Sequence, residues 1–283
     1  MPEGTALIWR CGARTIECGG RTLLMGVLNV TPDSFSDGGR FLDPDAALGH
    51  GLAMMKDGAD MVDIGGESTR PGSDPVPLEE ELRRVLPVVQ ALASRTAVPL
   101  SIDTRHAAVA EAALRAGAVI VNDISGGREP GMFDVVKAAG AGLVLMHMRG
   151  DPKTMQEAPT YTDVVGEVKD YLARRLEAAI FAGLSPEQLV VDPGIGFGKD
   201  LEHNLELLRR LDALGDLGRP ILVGPSRKRF IGTLLDLAED ERVEGTAGVA
   251  AWAATHGASI VRVHDVKQIS RVIRLVDAIA LGR

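Results

Sequence analysis

From residue 23 to residue 281 the chain alternates between two hydrophobic patterns. Short, continuously apolar runs occur at Leu23–Leu28, Met61–Ile64, Leu100–Ile102, Val119–Val121, Gly142–Met146, Leu189–Val191, Ile221–Val223 and Ile260–Val263. Continuous rather than alternating hydrophobicity is what a parallel strand needs when both its faces are covered. Between these runs lie longer stretches with apolar residues at three- and four-residue steps, the spacing of an amphipathic helix. These predict helices over Ala46–Lys56, Leu78–Ala93, Ala107–Ala116, Tyr161–Ala182, Leu201–Leu211 and Val266–Leu281. The acids Glu79, Glu80 and Glu81 suit a helix N-terminus, where the backbone dipole is positive. Eight strands alternating with helices predict an α/β fold, a (β/α)8 barrel of the TIM type forming a single domain over residues 1–283. The alternative is an open doubly wound sheet. That fold usually carries a glycine-rich dinucleotide loop after its first strand, and here the position reads Gly26-Val27-Leu28-Asn29-Val30-Thr31-Pro32. Ahead of the barrel, Ala6–Arg10 and Arg14–Glu17 predict a short β-hairpin.

Two connections, Thr31–Pro44 and Gly66–Pro77, are long for strand-to-helix loops and rich in Gly, Pro, Ser and Asp. Insertions of this kind at the catalytic end of a barrel commonly serve as lids.

Composition narrows the picture. The 283 residues suit a barrel of this kind, typically about 250 residues long. Aromatics make up only 4%, so Ala, Val, Leu and Ile must build the core. A net charge of −8 argues against a general nucleic-acid binder, though a local cluster of Arg and Lys can still hold an anionic substrate. No apolar run reaches the roughly 18 residues that span a bilayer, and Met1-Pro2-Glu3 does not resemble a signal peptide, so a cytoplasmic protein is expected. Cys11 and Cys18 are expected to be free thiols, too few to make a structural zinc site.

In a barrel enzyme the residues that follow each strand line the mouth of the active site. Here those positions hold Asn29, Asp63 with Glu67, Asp103, Asn122 with Asp123, His147, Asp192, Ser226 with Arg227 and Lys228, and Arg262 with His264. Two of the chain's three asparagines are among them. Asp103, Asn122 and Asp192 could hold the donor fork of a 2-amino-pyrimidinone edge, since a carboxylate in a dry cleft accepts two parallel N–H bonds and an amide pairs with a complementary ring edge. Any one of them could equally brace a loop. Asn29, Arg70, Arg262 and His264 form a second set, cationic or suited to Mg²⁺, which takes few protein oxygens and completes its shell with phosphate and water. Lys228 stands where a loop enters a helix, and the run Arg227-Lys228-Arg229 at a positive helix end is locally unfavourable unless it serves an anion or a carbonyl. His147 is expected to be a packed strand-end histidine. Gly194-Ile195-Gly196-Phe197-Gly198-Lys199 imitates a phosphate loop, but Pro193 replaces the first glycine and Asp200 the final Ser/Thr.

Met25-Gly26-Val27-Leu28-Asn29-Val30-Thr31-Pro32-Asp33-Ser34-Phe35-Ser36-Asp37-Gly38-Gly39 resembles the first signature of the dihydropteroate synthases, and Asp63-Ile64-Gly65-Gly66-Glu67-Ser68-Thr69-Arg70-Pro71-Gly72 resembles the second. Ser101–Thr104, Val121–Asp123, Asp192–Lys199, Ser226–Lys228 and Arg262–Asp265 match further motifs in order, so that the resemblance spans almost the whole chain. It implies a barrel transferase that joins a dihydropterin-methyl diphosphate to p-aminobenzoate, releasing pyrophosphate. It implies Asp103, Asn122, Asp192 and Lys228 in the pterin pocket, Asn29 on Mg²⁺, and Thr69, Arg70, Arg262 and His264 on the diphosphate. Phe35, Asp37 and Pro71 would meet p-aminobenzoate, the site at which sulfonamides bind, while Phe197, Gly224 and Ser226 would join the substrate-binding set. It also implies a homodimer that binds neither nucleic acid nor membrane. On this reading Asn29, Asp37, Arg70, Lys228, Arg262 and His264 carry the chemistry, and Arg262→Ala is expected to cut turnover while leaving the fold intact. Two other functions fit a pterin pocket. A methyltetrahydrofolate–corrinoid methyltransferase domain would not require Asn29, its long loop or Arg70, and a catalytically silent paralogue would have lost part of this set.

Overall fold

The computed structural model describes residues 7–31, 44–68, 73–151, 153–155 and 159–282. Strands β3 (Leu23–Asn29), β4 (Met61–Gly65), β5 (Leu100–Asp103), β6 (Ile120–Asp123), β7 (Gly142–Met146), β8 (Leu189–Asp192), β9 (Ile221–Val223) and β10 (Ala258–Val263) pair in parallel. The sheet closes on itself through β10 and β3, from Ile260↔Leu23 to Val263↔Gly26, which excludes an open sheet. Each strand of β4 to β8 is buried along its whole length, which explains its unbroken apolar character.

Helices α1 (Pro44–Lys56), α2 (Leu78–Ala93), α3 (Ala107–Arg115), α4 (Met132–Ala139), α5 (Val164–Phe181), α6 (Leu201–Arg209), α7 (Arg229–Leu235), α8 (Val243–Thr255) and α9 (Val266–Leu281) lie between or after the strands. The outer core forms where their apolar stripes meet the outward face of the barrel, as with Val85, Val88, Val89 and Leu92 of α2.

Strands β1 (Leu7–Cys11) and β2 (Arg14–Cys18) make an antiparallel hairpin, each strand ending one residue later than the apolar pattern suggested. It closes the N-terminal end of the barrel. Trp9, Cys11 and Cys18 join inward-facing residues such as Met25, Met61, Val144 and Ile260 in one buried cluster. Trp9 Nε1 donates to the Gln188 carbonyl at 3.0 Å. Gly142 permits this approach, because a Cβ there would lie 2.6 Å from Cys11 Sγ and 2.7 Å from Trp9 Nε1. Both cysteines are free, and burial pushes the Cys18 thiol up to about 12, so it stays protonated and unreactive.

With one end plugged, the other carries the polar residues. A cavity of about 910 Å³ opens there, lined by residues that include Asn29, Asp103, Phe197, Lys228, Arg262 and His264.

Candidate active site

Each polar group is placed by a strand that ends beneath the cavity. Asn29 is the last residue of β3, Asp103 of β5 and Asp192 of β8, while Asn122 lies one residue before the end of β6. Arg262 is the penultimate residue of β10, and His264 follows it. Gly224 to Lys228 continue from β9, and Lys228 caps α7.

Arg262 organises the floor. Its Nε donates to Asp63 Oδ2 at 2.7 Å and its Nη2 to Asp103 Oδ2 at 2.6 Å. Asp63 Oδ2 also accepts from Asn122 Nδ2 at 2.8 Å. Four strands thus converge on one charged cluster. Asp63 lies inside β4 and is fully buried. By strand-end position Asp63 was expected at the mouth of the barrel; the structure corrects this, since it lies within β4 beneath the cavity and holds Arg262 and Asn122. Burial pulls the Arg262 guanidinium down, but Asp63 and Asp103 outweigh it and hold the group above its ordinary value. Arg262 is therefore a partner of two carboxylates before any substrate arrives. That corrects the expectation that Arg262→Ala would leave the fold intact, because the truncation would strand two buried acids.

Three acceptors of this cluster remain without partners: Asp63 Oδ1, Asp103 Oδ1 and Asn122 Oδ1 are all buried and unbonded. Buried acceptors are seldom left so; of the three residues Asp103 lines the cavity, where a donor-rich ligand edge would meet the cluster. Burial, with the neighbouring Asp63 charge, raises the Asp103 carboxyl even though Arg262 opposes it. Burial likewise pushes Asp192 up to about 6, partly offset by the Gly194 amide, which donates to its Oδ1 at 2.7 Å, and by Lys228. Burial and the Arg262 charge bring Lys228 down to about 8. The Lys228 ammonium lies 3.9 Å from the centre of the Phe197 ring, a cation–π contact. Phe197 packs with Ile124, Met146, Met148 and Met155, an apolar wall beside the charged floor.

His264 is fixed on two sides. Asn29 Nδ2 meets its Nε2 at 3.4 Å, so Nδ1 carries the proton and donates to Ser226 Oγ at 2.9 Å. Burial and the Arg262 charge lower its pKa to about 3. It is neutral in this pocket, so within the set of cationic or Mg²⁺-suited residues it offers hydrogen bonds rather than charge. Arg227, with φ 54°, turns out of the loop and forms a two-bond pair with Asp265. Of the three basic residues at this helix start, Asp265 neutralises one, and Lys228 alone lies against the aromatic wall.

The imitation phosphate loop does other work. Lys199 is buried and donates to the carbonyls of Gly194 and Phe197 at 2.9 Å and meets His147 Nδ1 at 3.0 Å. It staples the loop from within. His147 is buried, lowered to about 2 by desolvation and the Lys199 charge, and packs edge-on against Tyr171, as a structural histidine would. Gly194, at φ 65°, has no room for a side chain, since a Cβ would stand 1.9 Å from the His147 carbonyl oxygen. Phe35, Asp37, Thr69, Arg70 and Pro71 lie outside the described residues.

The family described as pterin binding enzyme matches residues 25–264. The chain is 47% identical to a dihydropteroate synthase of Synechocystis sp. over 95% of this chain and 93% of that one. Its structure resembles Yersinia pestis dihydropteroate synthase in complex with a sulfonamide drug, with a TM-score of 0.92 and 44% identity, covering 98% of this chain and 100% of the other. It also resembles the Xanthomonas albilineans dihydropteroate synthase bound to 7,8-dihydropteroate, with a TM-score of 0.86 and 43% identity over 95% of this chain and 98% of that one.

Proposed function

The chain belongs to the pterin-binding enzyme family, within its dihydropteroate synthases, and we propose that this pocket joins (7,8-dihydropterin-6-yl)methyl diphosphate to p-aminobenzoate, giving 7,8-dihydropteroate and pyrophosphate. The observation that carries the reading is the set of unbonded buried acceptors on Asp63, Asp103 and Asn122. A pterin's 2-amino group and ring N–H supply donors on one edge, and a carboxylate accepts such a fork well.

The reaction is a displacement at the methylene carbon. The C–O bond breaks with its electron pair leaving on pyrophosphate, and the amine lone pair of p-aminobenzoate forms the C–N bond before a proton departs. Positive charge that develops on the methylene spreads into the pterin ring. Asp192 and Asp103, when ionised, would stabilise it. Lys228, between Phe197 and the carboxylates, supports a ring carbonyl. No protein nucleophile is required, and positioning with exclusion of water supplies much of the rate.

Asn29 fits a Mg²⁺ ligand. Its amide nitrogen faces His264, leaving Oδ1 as an oxygen for a hard cation. Bound with the diphosphate, Mg²⁺ would neutralise the leaving group's charge. Arg70 and Thr69 would bind the same group, with Arg262 and His264 contributing hydrogen bonds; Phe35, Asp37 and Pro71 would contact p-aminobenzoate.

We place the enzyme in a reducing, cytoplasmic setting on the strength of its two unpaired thiols. Among the described residues no helix is long and apolar enough to cross a membrane. We also propose a homodimer, for which α9 and its neighbours supply the apolar surface.

The test is pyrophosphate release from the dihydropterin-methyl diphosphate with Mg²⁺, with and without p-aminobenzoate. Dihydropteroate formation that depends on p-aminobenzoate supports the proposal. Pterin binding without turnover would reduce the protein to a silent pterin binder.

A further inference from the structure

Outside the pocket, a second cluster of ionisable groups is built where three elements meet. Glu67 follows β4, Glu81 lies in the first turn of α2, and His106 precedes α3. Each offers a ligand atom, and the three atoms lie within 4.8 Å of one another. Glu80, beside Glu81, points outward to Arg83 and Arg84. Glu81 points inward, is 0% exposed, and neither of its carboxylate oxygens has a hydrogen-bond partner. The Thr104 hydroxyl approaches it and only partly offsets the effect of burial.

An unbonded, buried carboxylate is expensive, and its environment normally satisfies it. A neighbouring guanidinium does not satisfy it, for Arg105 Nη2 pairs with Glu67 Oε1 at 3.0 Å and its buried Nε bonds to nothing, Glu81 included. Glu129 contributes a third carboxylate, meeting His106 Nδ1 at 3.0 Å. Glu67 and Glu81 share one neighbouring guanidinium, and with Glu129 beside His106 the cluster has an excess of negative charge. The Glu129 contact has a further effect. A carboxylate only accepts, so Nδ1 carries the imidazole proton and Nε2 keeps the lone pair a metal requires. A carboxylate behind a histidine is the usual support for a histidine ligand. Glu129 is itself held, since its Oε1 accepts from the Ala107 amide at 2.9 Å.

We propose that Glu67, Glu81 and His106 bind a divalent transition-metal cation of zinc's class, with water completing the shell. One nitrogen and two carboxylates form a donor set that zinc accepts in tetrahedral sites. The spacing is near what is needed. A cation at the centre of a triangle with 4.8 Å sides lies about 2.8 Å from each corner, so each ligand atom closes by roughly 0.7 Å to reach bonding distance. Small side-chain rotations cover that. Gly66 is what lets Glu67 come so near α2, since a Cβ there would stand 2.8 Å from Val85 and 3.1 Å from Glu81. Bound metal would tie the segment after β4 to α2 and α3, three residues before Arg70 in the chain. This site is separate from Asn29 and its role does not depend on the pterin reading.

The experiment uses untagged, chelator-stripped protein without pterin or diphosphate. Zn²⁺ is titrated against a chromophoric competitor, and Co²⁺ is added separately for its visible d–d bands. The expected result is one bound equivalent with nitrogen–oxygen coordination. Glu81→Gln and His106→Ala should each weaken it by about tenfold or more, Glu129→Gln by about tenfold, and Asn29→Ala not at all. His106 is partly exposed, so its variant tests the site even if the change at Glu81 disturbs folding. Absence of stoichiometric binding, or affinity unchanged in both His106→Ala and Glu81→Gln, overturns the proposal.

Discussion

At the scale of single residues the pocket is a place where charge is costly and held in check. Asp192 makes this measurable. Its pKa of about 6 lies above its ordinary value because burial penalises the carboxylate, so a pterin that donates to it should bind less well as the pH falls from 7 to 5. One linked proton limits the loss to about tenfold per pH unit, and Asp192→Asn should abolish this pH dependence while weakening binding outright. A calorimetric or fluorescence titration of the pterin across pH would decide; a flat wild-type profile would remove Asp192 from the ring contacts. The same shift has a stability consequence. The folded state holds this proton more tightly than the unfolded state, so the contribution of Asp192 to stability is lost as the pH rises from its ordinary value of 3.8 to about 6, and the buried carboxylate remains a cost above that. An asparagine amide oxygen can still accept from Gly194, so Asp192→Asn should melt no lower than wild type at pH 7 despite its loss of function. Arg262→Ala should do the opposite of an innocent active-site change. It leaves Asp63 and Asp103 buried without their cation, and removal of one partner from a buried pair costs about 3–5 kcal/mol, visible as a large fall in the denaturation midpoint. A wild-type midpoint would mean that the two acids are otherwise satisfied. The individual polar residues were legible because most stand at strand ends, and Asp103, Asn122, Lys228 and Arg262 were found that way. Their wiring was not. Asp63, inside β4, and the pairing of Arg262 with acids 159 and 199 residues away depend on barrel closure, which no local pattern states. The neutrality of His264 likewise follows from burial and a neighbouring charge rather than from residue type.

At the scale of elements the strands were the clearest feature, because two-sided burial leaves a continuous apolar run with little else to explain it. Helices α2 and α9 were legible to the residue, each with its polar face set against its apolar one. Helix α8 was missed. It reads Val243-Glu244-Gly245-Thr246-Ala247-Gly248-Val249-Ala250-Ala251-Trp252-Ala253-Ala254-Thr255, small residues all round with two glycines, so no face stands out. Helices α4 and α7 are only 8 and 7 residues long and give too few repeats to be periodic. Helix α5 begins at Val164 rather than Tyr161, since the Tyr161 hydroxyl is held by the Gly198 carbonyl at 2.8 Å and belongs to the loop packing around Lys199. The hairpin was expected, but its function as a plug was not, because an isolated hairpin carries no sign of what it covers. Trp9 is the test. Truncating a fully buried tryptophan should cost about 3–5 kcal/mol, so Trp9→Ala should lower the melting temperature sharply. The active site is at the other end of the barrel, so turnover well below the melting point should be little changed. A proportionate loss of kcat with no change in melting would mean that the hairpin acts on the site rather than on the core.

On the scale of the whole molecule the remaining question is what covers the apolar surface of the outer ring. Helix α9 turns Val266, Ile269 and Ile273 into the barrel, yet Leu275 and Ile279 are 64% and 75% exposed. They stand four residues apart and so lie on one face. Trp252 on α8, which packs along α9, is 45% exposed, and Leu234 on α7 is 58% exposed. Scattered exposed apolar side chains are ordinary, but these lie on three successive helices on one side of the barrel, and the chain's net charge of −8 is no obstacle to an apolar contact between copies. A twofold dimer would bury the same patch on each copy, which requires only that the patch be complementary to itself. Introducing a charge at the centre of such a contact places two like charges in a desolvated interface, a heavy penalty, whereas in a monomer the same residue would sit harmlessly in water. Leu275→Glu and Ile279→Glu should therefore convert a dimer to a monomer in sedimentation or light-scattering measurements while leaving the far-ultraviolet circular dichroism unchanged. Among the described residues one chain supplies the lining of the cavity, from strand ends, loops and helix starts, so the monomeric variants should retain pterin binding. Wild-type protein that sediments as a monomer, or variants that remain dimeric, would place the contact elsewhere or remove it.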